Sequence, residues 1–163
     1  MLVIPDEYFI GFTEGEGCFY VGVVSSKETR NGWQIVHFFK VSQNPSGKVI
    51  LDAFKKRLGC GYVKPNDKNI LSSDKSLAYV VRNITDLKDK VIPFFRNKLI
   101  IKRRAFDTFS AVVDKISRKE HLSKDGFREL VDLIYANNDS RRKFSKVEIL
   151  KKIPTDYTPE SDA

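Results

Sequence analysis

The sequence predicts an α+β fold in which a four-stranded antiparallel sheet is backed by helices, in the order αββαββα. Three observations lead to this prediction. Two pairs of segments rich in β-branched and aromatic residues flank one stretch of helical periodicity, a short apolar run near the start ends in glycines and carboxylates, and the last third repeats apolar residues at helical spacing. We expect one domain over residues 1–153 and a disordered tail over 154–163, which contains proline and acidic residues.

The first helix is predicted over the apolar run that extends from Phe9 to Gly17. Gly11 and Gly15 are four residues apart and share one helix face, where the lack of side chains lets another backbone approach closely. Glu14 and Glu16 fall at the C-terminal end, whose partial negative charge repels carboxylates unless a cation is bound. The run therefore indicates either a site for a hard divalent cation such as Mg²⁺ or an ordinary amphipathic helix that ends in a glycine and two solvated glutamates.

The first β-hairpin is predicted from residues 18–26 and 33–43, because both segments are rich in β-branched and aromatic side chains. An Asn31-Gly32 step in the charged segment between them is typical of a hairpin turn. Alternation along the strands assigns a buried and an outer face. The side chains expected in the core are Phe19, Val21, Val23, Ile35, Phe39 and Val41.

The remaining elements follow from periodicity and from glycine. Residues 46–58 are predicted as a helix that Gly59 ends, with Val49, Ile50, Ala53, Phe54 and Leu58 on its apolar side. A second strand pair is predicted at residues 62–66 and 77–82. Apolar residues at helical spacing predict core helices over residues 98–117 and 123–137, and a final helix to about Ile153.

Composition points to a polyanionic partner. The 163-residue chain has 41% hydrophobic residues, a formal net charge of +8 and a pI near 9.5, so we expect a globular protein that binds nucleic acid. No apolar segment of 18 residues is present, which argues against a membrane partner. The two cysteines and two histidines are isolated in the sequence, so a zinc site is not expected.

The run from Phe9 to Gly17 resembles the signature motif of the LAGLIDADG homing endonucleases, with glutamate at both acidic positions. The order of predicted elements is similar to the fold of that family, and the resemblance extends from about Tyr8 to Arg142. It implies a homing endonuclease that cuts double-stranded DNA with Mg²⁺, although Mn²⁺ or Ca²⁺ can take such a site. Only one copy of the motif is present, so we expect a homodimer. The interface residues expected from this motif helix are Phe9, Gly11, Phe12 and Gly15.

The resemblance also implies roles for residues of the active centre. Glu16 would bind the metal together with the carbonyl group of Gly15, whereas Glu14 matches an acid with a capping and structural role. Gln43 matches a polar residue that holds water. Lys102 matches a basic residue near the scissile phosphate, and Lys98, four residues earlier on the same predicted helix face, is the alternative.

The outer face of the sheet is expected to lie in the DNA major groove, as a β-ribbon can. Strands of about ten residues span roughly 33 Å, so a two-fold dimer would cover about 65 Å, or on the order of 20 base pairs of a pseudo-palindromic target. A polar and basic loop over residues 138–143 resembles a family loop that grips the DNA backbone. The expected DNA-binding residues are Tyr20, Ser26, Thr29, Arg30, Gln34, Lys40, Lys64, Asn66, Arg82, Lys98, Ser140, Arg141, Arg142 and Lys143.

Two other functions are compatible with the same scaffold. One is an intron RNA-binding maturase, with the host intron RNA as partner, and the other is a non-catalytic DNA-binding regulator. Neither needs the metal-binding carboxylates, so the two intact glutamates favour the nuclease. The resemblance implies an intron-encoded protein of an organelle, mitochondrion or chloroplast, or of a microbial cytoplasm. It names neither the target sequence nor the host intron.

Overall fold

The computed structural model describes residues 3–69, 71–136 and 142–153. Its elements follow the predicted order αββαββα, with further helices after the fourth strand. The strands are β1 (Gly17–Ser25), β2 (Trp33–Gln43), β3 (Tyr62–Pro65) and β4 (Leu77–Val81). The helices are α1 (Asp6–Glu16), α2 (Lys48–Leu58), α3 (Ile84–Asp86), α4 (Ile92–Phe95), α5 (Arg103–Ser117), α6 (Lys124–Tyr135) and α7 (Lys146–Lys151).

The four strands form one sheet in the order β1-β2-β4-β3, and β4 runs antiparallel to both of its neighbours. Partners in register lie on the same face of a sheet. Phe39 pairs with Val81 and Val41 with Tyr79, and all four side chains are buried. The alternation in the sequence thus predicted the core side of β2, because this side is apolar and the other mixed.

The chain forms two compact units, of which the first combines the residues up to 20 with residues 38–107. Its core is aromatic. The rings of Phe19 and Phe39 stack with centroids 5.0 Å apart, and Phe95 lies 5.2 Å from Phe39. The ring of Phe54, on α2, reaches Tyr79 of β4 at 5.9 Å. The first unit holds α1 and the loop before α5, and therefore holds the candidate active site.

The second unit combines residues 21–37 with the chain from residue 108 onward. Helix α6 begins at Ser123, whose hydroxyl accepts a hydrogen bond from the backbone N–H of Gly126. Its buried side places Phe127, Leu130, Val131 and Ile134 in the core, at the helical spacing seen in the sequence. The ring of Trp33 contacts that of Phe144 edge-on at 4.9 Å.

Two glycines end helices for different reasons. Gly59 ends α2 with φ at 64°, the left-handed conformation that glycine adopts without strain. Gly17 ends α1 in an extended conformation that any residue could adopt. A Cβ at Gly17 would lie 2.7 Å from the carbonyl oxygen of Thr13, so a close approach within the chain requires this glycine.

Three expectations about helices are corrected. The helix predicted from Lys98 begins at Arg103, and the preceding segment is a turn in which Asn97 has φ at 62°. Val49 is 73% exposed, because the buried face of α2 extends from Ile50 toward Leu51 and Val49 lies on the opposite side of Ile50. The predicted helix start at residue 46 is a 3₁₀ turn over Pro45–Gly47. The expected tail over 154–163 and the end of the helix predicted to residue 137 lie outside the described residues.

In the described part of the chain, no helix is both long enough and apolar enough to cross a membrane.

Candidate active site and nucleic-acid interface

The C-terminal end of α1 is anchored to the loop before α5 by the carboxylate of Glu14. Its two oxygens accept hydrogen bonds from the backbone N–H groups of Ile100, Ile101 and Lys102, the last two at 3.0 Å. A carboxylate that accepts several backbone N–H bonds acts as a structural clamp. Glu14 therefore has the capping and structural contacts that the motif resemblance implied for it.

Lys102 lies at the same helix end. Its amino group donates to the carbonyl oxygen of Glu14 at 2.8 Å and approaches that of Gly15 at 3.4 Å. These carbonyls carry the partial negative charge of the helix C-terminus, so they attract a cation. Lys98, the alternative, is exposed and places its amino group 5.0 Å from the centre of the Phe94 ring. The two lysines share no helix face, because α5 begins only at Arg103.

Glu16 is the last residue of α1 and is exposed, as is Gly15. No hydrogen bond or ion pair to the Glu16 carboxylate comes from any residue that the structure describes. Nowhere in residues 3–69, 71–136 and 142–153 do three His, Cys, Asp or Glu side chains gather as a metal site. One chain thus presents an exposed carboxylate beside carbonyl oxygens, which is a partial set of hard ligands.

Gln43 ends β2 on the buried side of the sheet, in register with Leu77. Its side-chain oxygen accepts the backbone N–H of Asn44 at 3.0 Å, and its side chain packs where a Cβ on Gly47 would stand.

Cys18 is two residues after Glu16, and nearby charges affect the pKa of its thiol. Desolvation raises the pKa of its thiol, while the positive charges of Lys40 and Lys102 lower it.

The glycine face of α1 is open. Apart from the adjoining backbone of α1, no atom of the described residues lies within 4 Å of the position that a Cβ would take at Gly11 or Gly15, and both residues are exposed. Phe12 is half-buried and its ring stacks on Tyr8 at 6.0 Å. Phe9, expected at the interface, is a correction: it is 2% exposed and packs on Phe54 with ring centroids 4.9 Å apart. Its side chain therefore belongs to the core of its own subunit.

Two predicted DNA contacts, Lys40 and Lys64, share the outer face of the sheet. Lys40 is in register with Val80, and Lys64 with Ala78. Ala78 and Val80 are at most 1% exposed although they are on this face, so neighbouring side chains cover them. Tyr62, also opposite Val80, is 44% exposed. Sequence reasoning missed Tyr62, although its alternation with Lys64 indicates the shared face.

Sequence reasoning also missed Phe38, whose ring contacts the side chains of two predicted DNA-binding residues. The rings of Tyr20 and Phe38 stack with centroids 4.7 Å apart, and the guanidinium of Arg82 lies 5.1 Å from the centre of the Phe38 ring. Tyr20 and Arg82 are both exposed. Stacking on a shared ring fixes their side chains without using the tyrosine hydroxyl or the guanidinium N–H groups.

Asn66 was expected to read bases, but its side-chain nitrogen binds within the protein. It donates to the hydroxyl oxygens of Ser42 at 3.2 Å and Ser76 at 2.9 Å. An amide nitrogen has only two hydrogens to donate, so both are used. Asn66 thus holds the loop between β3 and β4, and only its amide oxygen is left to meet a base.

In the second unit, the hairpin turn carries four predicted contacts. Gly32 has φ at 76°, as the Asn-Gly turn requires. The Ser26 hydroxyl accepts the backbone N–H of Glu28, and the Thr29 hydroxyl donates to the Ser26 carbonyl at 3.4 Å. Both hydroxyls are therefore engaged in the turn. Arg30 and Gln34 are exposed.

The basic loop near residue 142 is only partly described, and the predicted contacts Ser140 and Arg141 lie outside the described residues. Arg142 is a correction. Its guanidinium donates to the carbonyl oxygens of Val21 at 3.1 Å and Ile134 at 2.8 Å, and it lies 4.9 Å from the centre of the Tyr135 ring. It binds backbone carbonyls within its unit rather than phosphate. Lys143 is exposed, with its amino group 5.4 Å from the Phe144 ring centre.

Comparison with known proteins gives one family. The sequence model described as LAGLIDADG endonuclease matches residues 9–112. "Homing endonuclease I-ApeII" of Aeropyrum pernix is 29% identical over 160 residues, which cover 94% of this chain and 92% of that protein. "Uncharacterized 50.9 kDa protein in ND4 intron 1" of Podospora anserina is 31% identical over 123 residues, or 73% of this chain. The chain spans only 26% of the length of the Podospora protein.

Solved structures share the fold. The archaeal intron-encoded homing endonuclease I-Vdi141I, solved in complex with DNA, has a TM-score of 0.79 and 27% identity over 90% of this chain and 92% of its own. The homing endonuclease I-TnaI has a TM-score of 0.74 and 27% identity over 93% of this chain and 97% of its own. Both similarities extend over nearly the whole of each chain.

Proposed function

Because the chain belongs to the LAGLIDADG endonuclease family, we propose that it is a homing endonuclease that makes a double-strand break in a long, pseudo-palindromic DNA target by metal-dependent hydrolysis. The family is one of DNA endonucleases. The similarity to I-ApeII and to DNA-bound I-Vdi141I covers nine-tenths of the chain or more, which supports the same activity here.

The observation that carries the proposal is the exposed carboxylate of Glu16 beside the carbonyl end of α1. The structure uses the other motif acid, Glu14, to bind three backbone N–H groups, so the two glutamates have different surroundings. The negative end of a helix repels an exposed carboxylate, and a bound cation removes this repulsion. This is the arrangement that a metal-dependent nuclease needs.

The donor set fits a hard divalent cation. Glu16 and the Gly15 carbonyl would hold Mg²⁺, which prefers oxygen ligands and keeps several waters, and Mn²⁺ or Ca²⁺ accept the same donors. The amino group of Lys102 lies 3.4 Å from the Gly15 carbonyl oxygen, and this contact with a positive charge supports a cation site at the same helix end. When bound, the ion supplies Lewis-acid stabilisation and a more acidic water.

Two other side chains would assist the reaction, one at the scissile phosphate and one at the attacking water. Lys102 carries a positive charge held at the end of α1, where it would offset the negative charge that develops on the phosphate in the transition state. Gln43 has a side-chain amide at the end of β2, and its N–H₂ group would orient water by hydrogen bonding. Its oxygen is occupied by Asn44, so the amide nitrogen is the group available to water.

One chain supplies one motif, and a double-strand break needs two centres. A homodimer would place two Glu16 carboxylates about a two-fold axis, with the open glycine face of α1 as the contact. Gly11, Gly15 and the half-buried Phe12 remain the proposed interface residues after Phe9 is assigned to the core. Two-fold symmetry in the protein implies a pseudo-palindromic target.

The DNA-binding proposal rests on charge and on the outer strand faces. Lys40, Lys64, Tyr20 and Arg82 lie in the first unit and would contact bases or phosphates there. In the second unit, Arg30, Gln34 and Lys143 are exposed and remain proposed contacts. A net charge of +8 would make binding strongly dependent on salt.

The test is Glu16→Gln, assayed on a library of plasmids with randomised sites in Mg²⁺ and on the target that the wild type selects. We expect wild-type protein to cut both strands of the selected site. The variant should lose cutting and still bind, because the amide keeps the shape of the side chain and removes the charge. Glu7→Gln, an exposed acid on the same helix, is the matched control and should cut normally.

Four results would contradict the proposal. Nicking by Glu16→Gln would mean that Glu16 is not a metal ligand. Equal cutting with and without divalent ions would mean that the reaction needs no metal. Binding of intron RNA with no cut at any site would favour the maturase, and binding of DNA alone without a cut would favour the regulator.

A further inference from the structure

The second unit contains a cavity of about 280 Å³ that is remote in sequence from the motif helix; we call it the hairpin pocket. It is lined on one side by the hairpin turn and start of β2, from Thr29 to His37, and on the other by residues at the end of α5 and the start of α6. This volume is near the lower limit, roughly 300 Å³, of cavities that bind small organic molecules. It suits one ring system rather than a larger ligand.

The walls combine apolar and aromatic surface. Ile116, Leu122 and Phe127 come from the helical side, and Trp33 and Ile35 from the strand. The lining also includes the polar residues Asn31, His37 and His121, so the pocket offers dispersion contacts to a flat ring and hydrogen-bonding groups to the edge of that ring.

One buried donor in this wall has no acceptor. Trp33 is 3% exposed, and its indole N–H forms no hydrogen bond with any residue the structure describes. Buried indole N–H groups in proteins usually have a partner. An acceptor on a bound molecule, such as a carbonyl oxygen or a ring nitrogen, would supply the missing partner.

Positive charge lies beside the same tryptophan. Arg30 lines the pocket and is exposed, and the amino group of Lys152 lies 5.5 Å from the centre of the Trp33 ring. A ligand with a flat ring, an acceptor edge and an attached anionic group matches all three features. A nucleotide has this combination.

We propose that the hairpin pocket binds a single unpaired nucleobase, with an acceptor on its edge bonded to the Trp33 indole N–H and its phosphate near Arg30. Paired bases of a DNA duplex are stacked and do not enter such a pocket without being flipped out. The ligand is therefore either a free mononucleotide or an unpaired nucleotide in a strand. The site is separate from cleavage and would remain if the proposed nuclease activity were disproved.

Trp33 is the only tryptophan in the chain, so its fluorescence reports on this pocket alone. The probes are UMP, CMP and AMP, with ribose 5-phosphate and inorganic phosphate as controls that lack a base. We expect saturable quenching or a spectral shift with at least one nucleotide and none with the controls. A second arm compares a short single-stranded RNA or DNA oligonucleotide with the same sequence as a duplex, to distinguish a strand from a free nucleotide.

Variants then assign the contacts by calorimetry. Trp33→Phe keeps the aromatic ring and removes the N–H, so it should weaken nucleotide binding at least tenfold. Ile35→Phe fills the cavity and should abolish binding. This variant tests the proposal independently if Trp33→Phe folds poorly. Arg30→Ala should weaken the binding of a nucleotide but not of its nucleoside, whereas Arg128→Ala, which removes an exposed basic side chain that does not line the pocket, should change neither.

The proposal fails if no nucleotide or single strand changes the Trp33 fluorescence. It also fails if ribose 5-phosphate acts as well as the nucleotide, or if folded Ile35→Phe binds as tightly as the wild type. Loss of DNA cleavage in Glu16→Gln with unchanged nucleotide binding would leave the pocket intact and would separate the two proposals.

Discussion

At the scale of single residues, the two motif glutamates illustrate how two chemically equal side chains acquire different roles. Glu14 faces three backbone N–H groups of the loop before α5, and Glu16 is exposed at the last position of α1. The hydrogen bonds of Glu14 also hold the Lys102 backbone at the end of α1. The side-chain amino group of Lys102 there donates to the carbonyl oxygen of Glu14. One acid thus places the lysine, and the other is left exposed for the proposed cation.

Glu14→Gln should destabilise the protein, because the amide has one oxygen acceptor where the carboxylate has two. We expect a loss of about 0.5–1.5 kcal/mol in the free energy of unfolding, the usual net contribution of one hydrogen bond, because Ile100 and Ile101 are exposed and water can reach their N–H groups. Urea unfolding measures it. Glu7→Gln on the same helix, where the side chain is exposed, should change stability little. Equal stability of the two variants would mean that the clamp contributes nothing.

Replacement of the two candidate lysines should separate their roles. Lys102→Met should reduce single-turnover cutting of the selected target on the order of 100-fold, because a charge near the phosphate is lost. Lys98→Met should mainly weaken DNA binding, since its amino group lies over the Phe94 ring rather than at the α1 terminus. The single-turnover rate at saturating protein measures the first effect, and the protein concentration that gives half of that rate measures the second. A greater loss of rate in Lys98→Met would reverse the assignment.

The residues that sequence reasoning placed wrongly share a cause. Arg142 and Asn66 were read as solvent-facing donors, but acceptors distant in sequence occupy them: the carbonyl of Val21, and the hydroxyl of Ser42. Phe9 was assigned to the subunit interface, but Phe54 covers it within the chain. Sequence spacing shows which face a residue is on, whereas partners of this kind depend on tertiary packing.

At the scale of elements, helices α1 and α2 are tied by a charged pair as well as by aromatic packing. Arg57, in the last turn of α2, donates two hydrogen bonds to the carboxylate of Asp6, at 2.7 and 2.8 Å, in the first turn of α1. Both partners complement the dipole of the helix on which they lie. The hydrogen bond from Arg57 holds the pKa of Asp6 below its ordinary value.

This pair predicts a dependence of stability on pH. A carboxylate whose pKa is lower in the folded state contributes stability at neutral pH, and this contribution is lost as pH falls through the folded pKa. At neutral pH, the free energy of unfolding of the wild type should exceed that of Asp6→Asn by at most about 1 kcal/mol, because both partners of the ion pair are partly exposed. The difference should shrink as the pH falls below 3.8, the ordinary pKa of the carboxyl group, and disappear below the lowered pKa of the folded state. Urea unfolding at neutral pH and through the acid range measures it, and a constant difference would contradict the linkage.

Most elements were predictable because local rules determine them. The strands of the first hairpin follow from alternation, the end of α2 from Gly59, and the start of α6 from Ser123. The start of α5 was not predictable, since residues 98–102 have helical composition. Glu14 instead binds the backbone N–H groups of residues 100–102 in a turn, which no local pattern shows.

At the scale of the whole molecule, the open glycine face of α1 predicts the state of assembly. Gly11→Leu should leave the subunit folded, because no described residue outside the adjoining turns of α1 lies within 4 Å of the added Cβ, and should convert a dimer into monomers. Sedimentation velocity measures the size and circular dichroism the fold. Lys56→Leu, which adds the same side chain at an exposed position of α2, is the control. A dimer that persists in Gly11→Leu would exclude this face as the contact.

The outer strand β3 affects how readily the protein associates through the edge of its sheet. Strand β3 is an outer strand of only four residues, and it ends at Pro65, which has no N–H to donate to a further strand. Short outer strands that carry proline and lysine discourage edge-to-edge polymerisation. With Lys64 beside that proline, this border of the sheet is a poor template for fibril growth, which helps a strongly charged protein remain dispersed at the concentrations used for crystallisation.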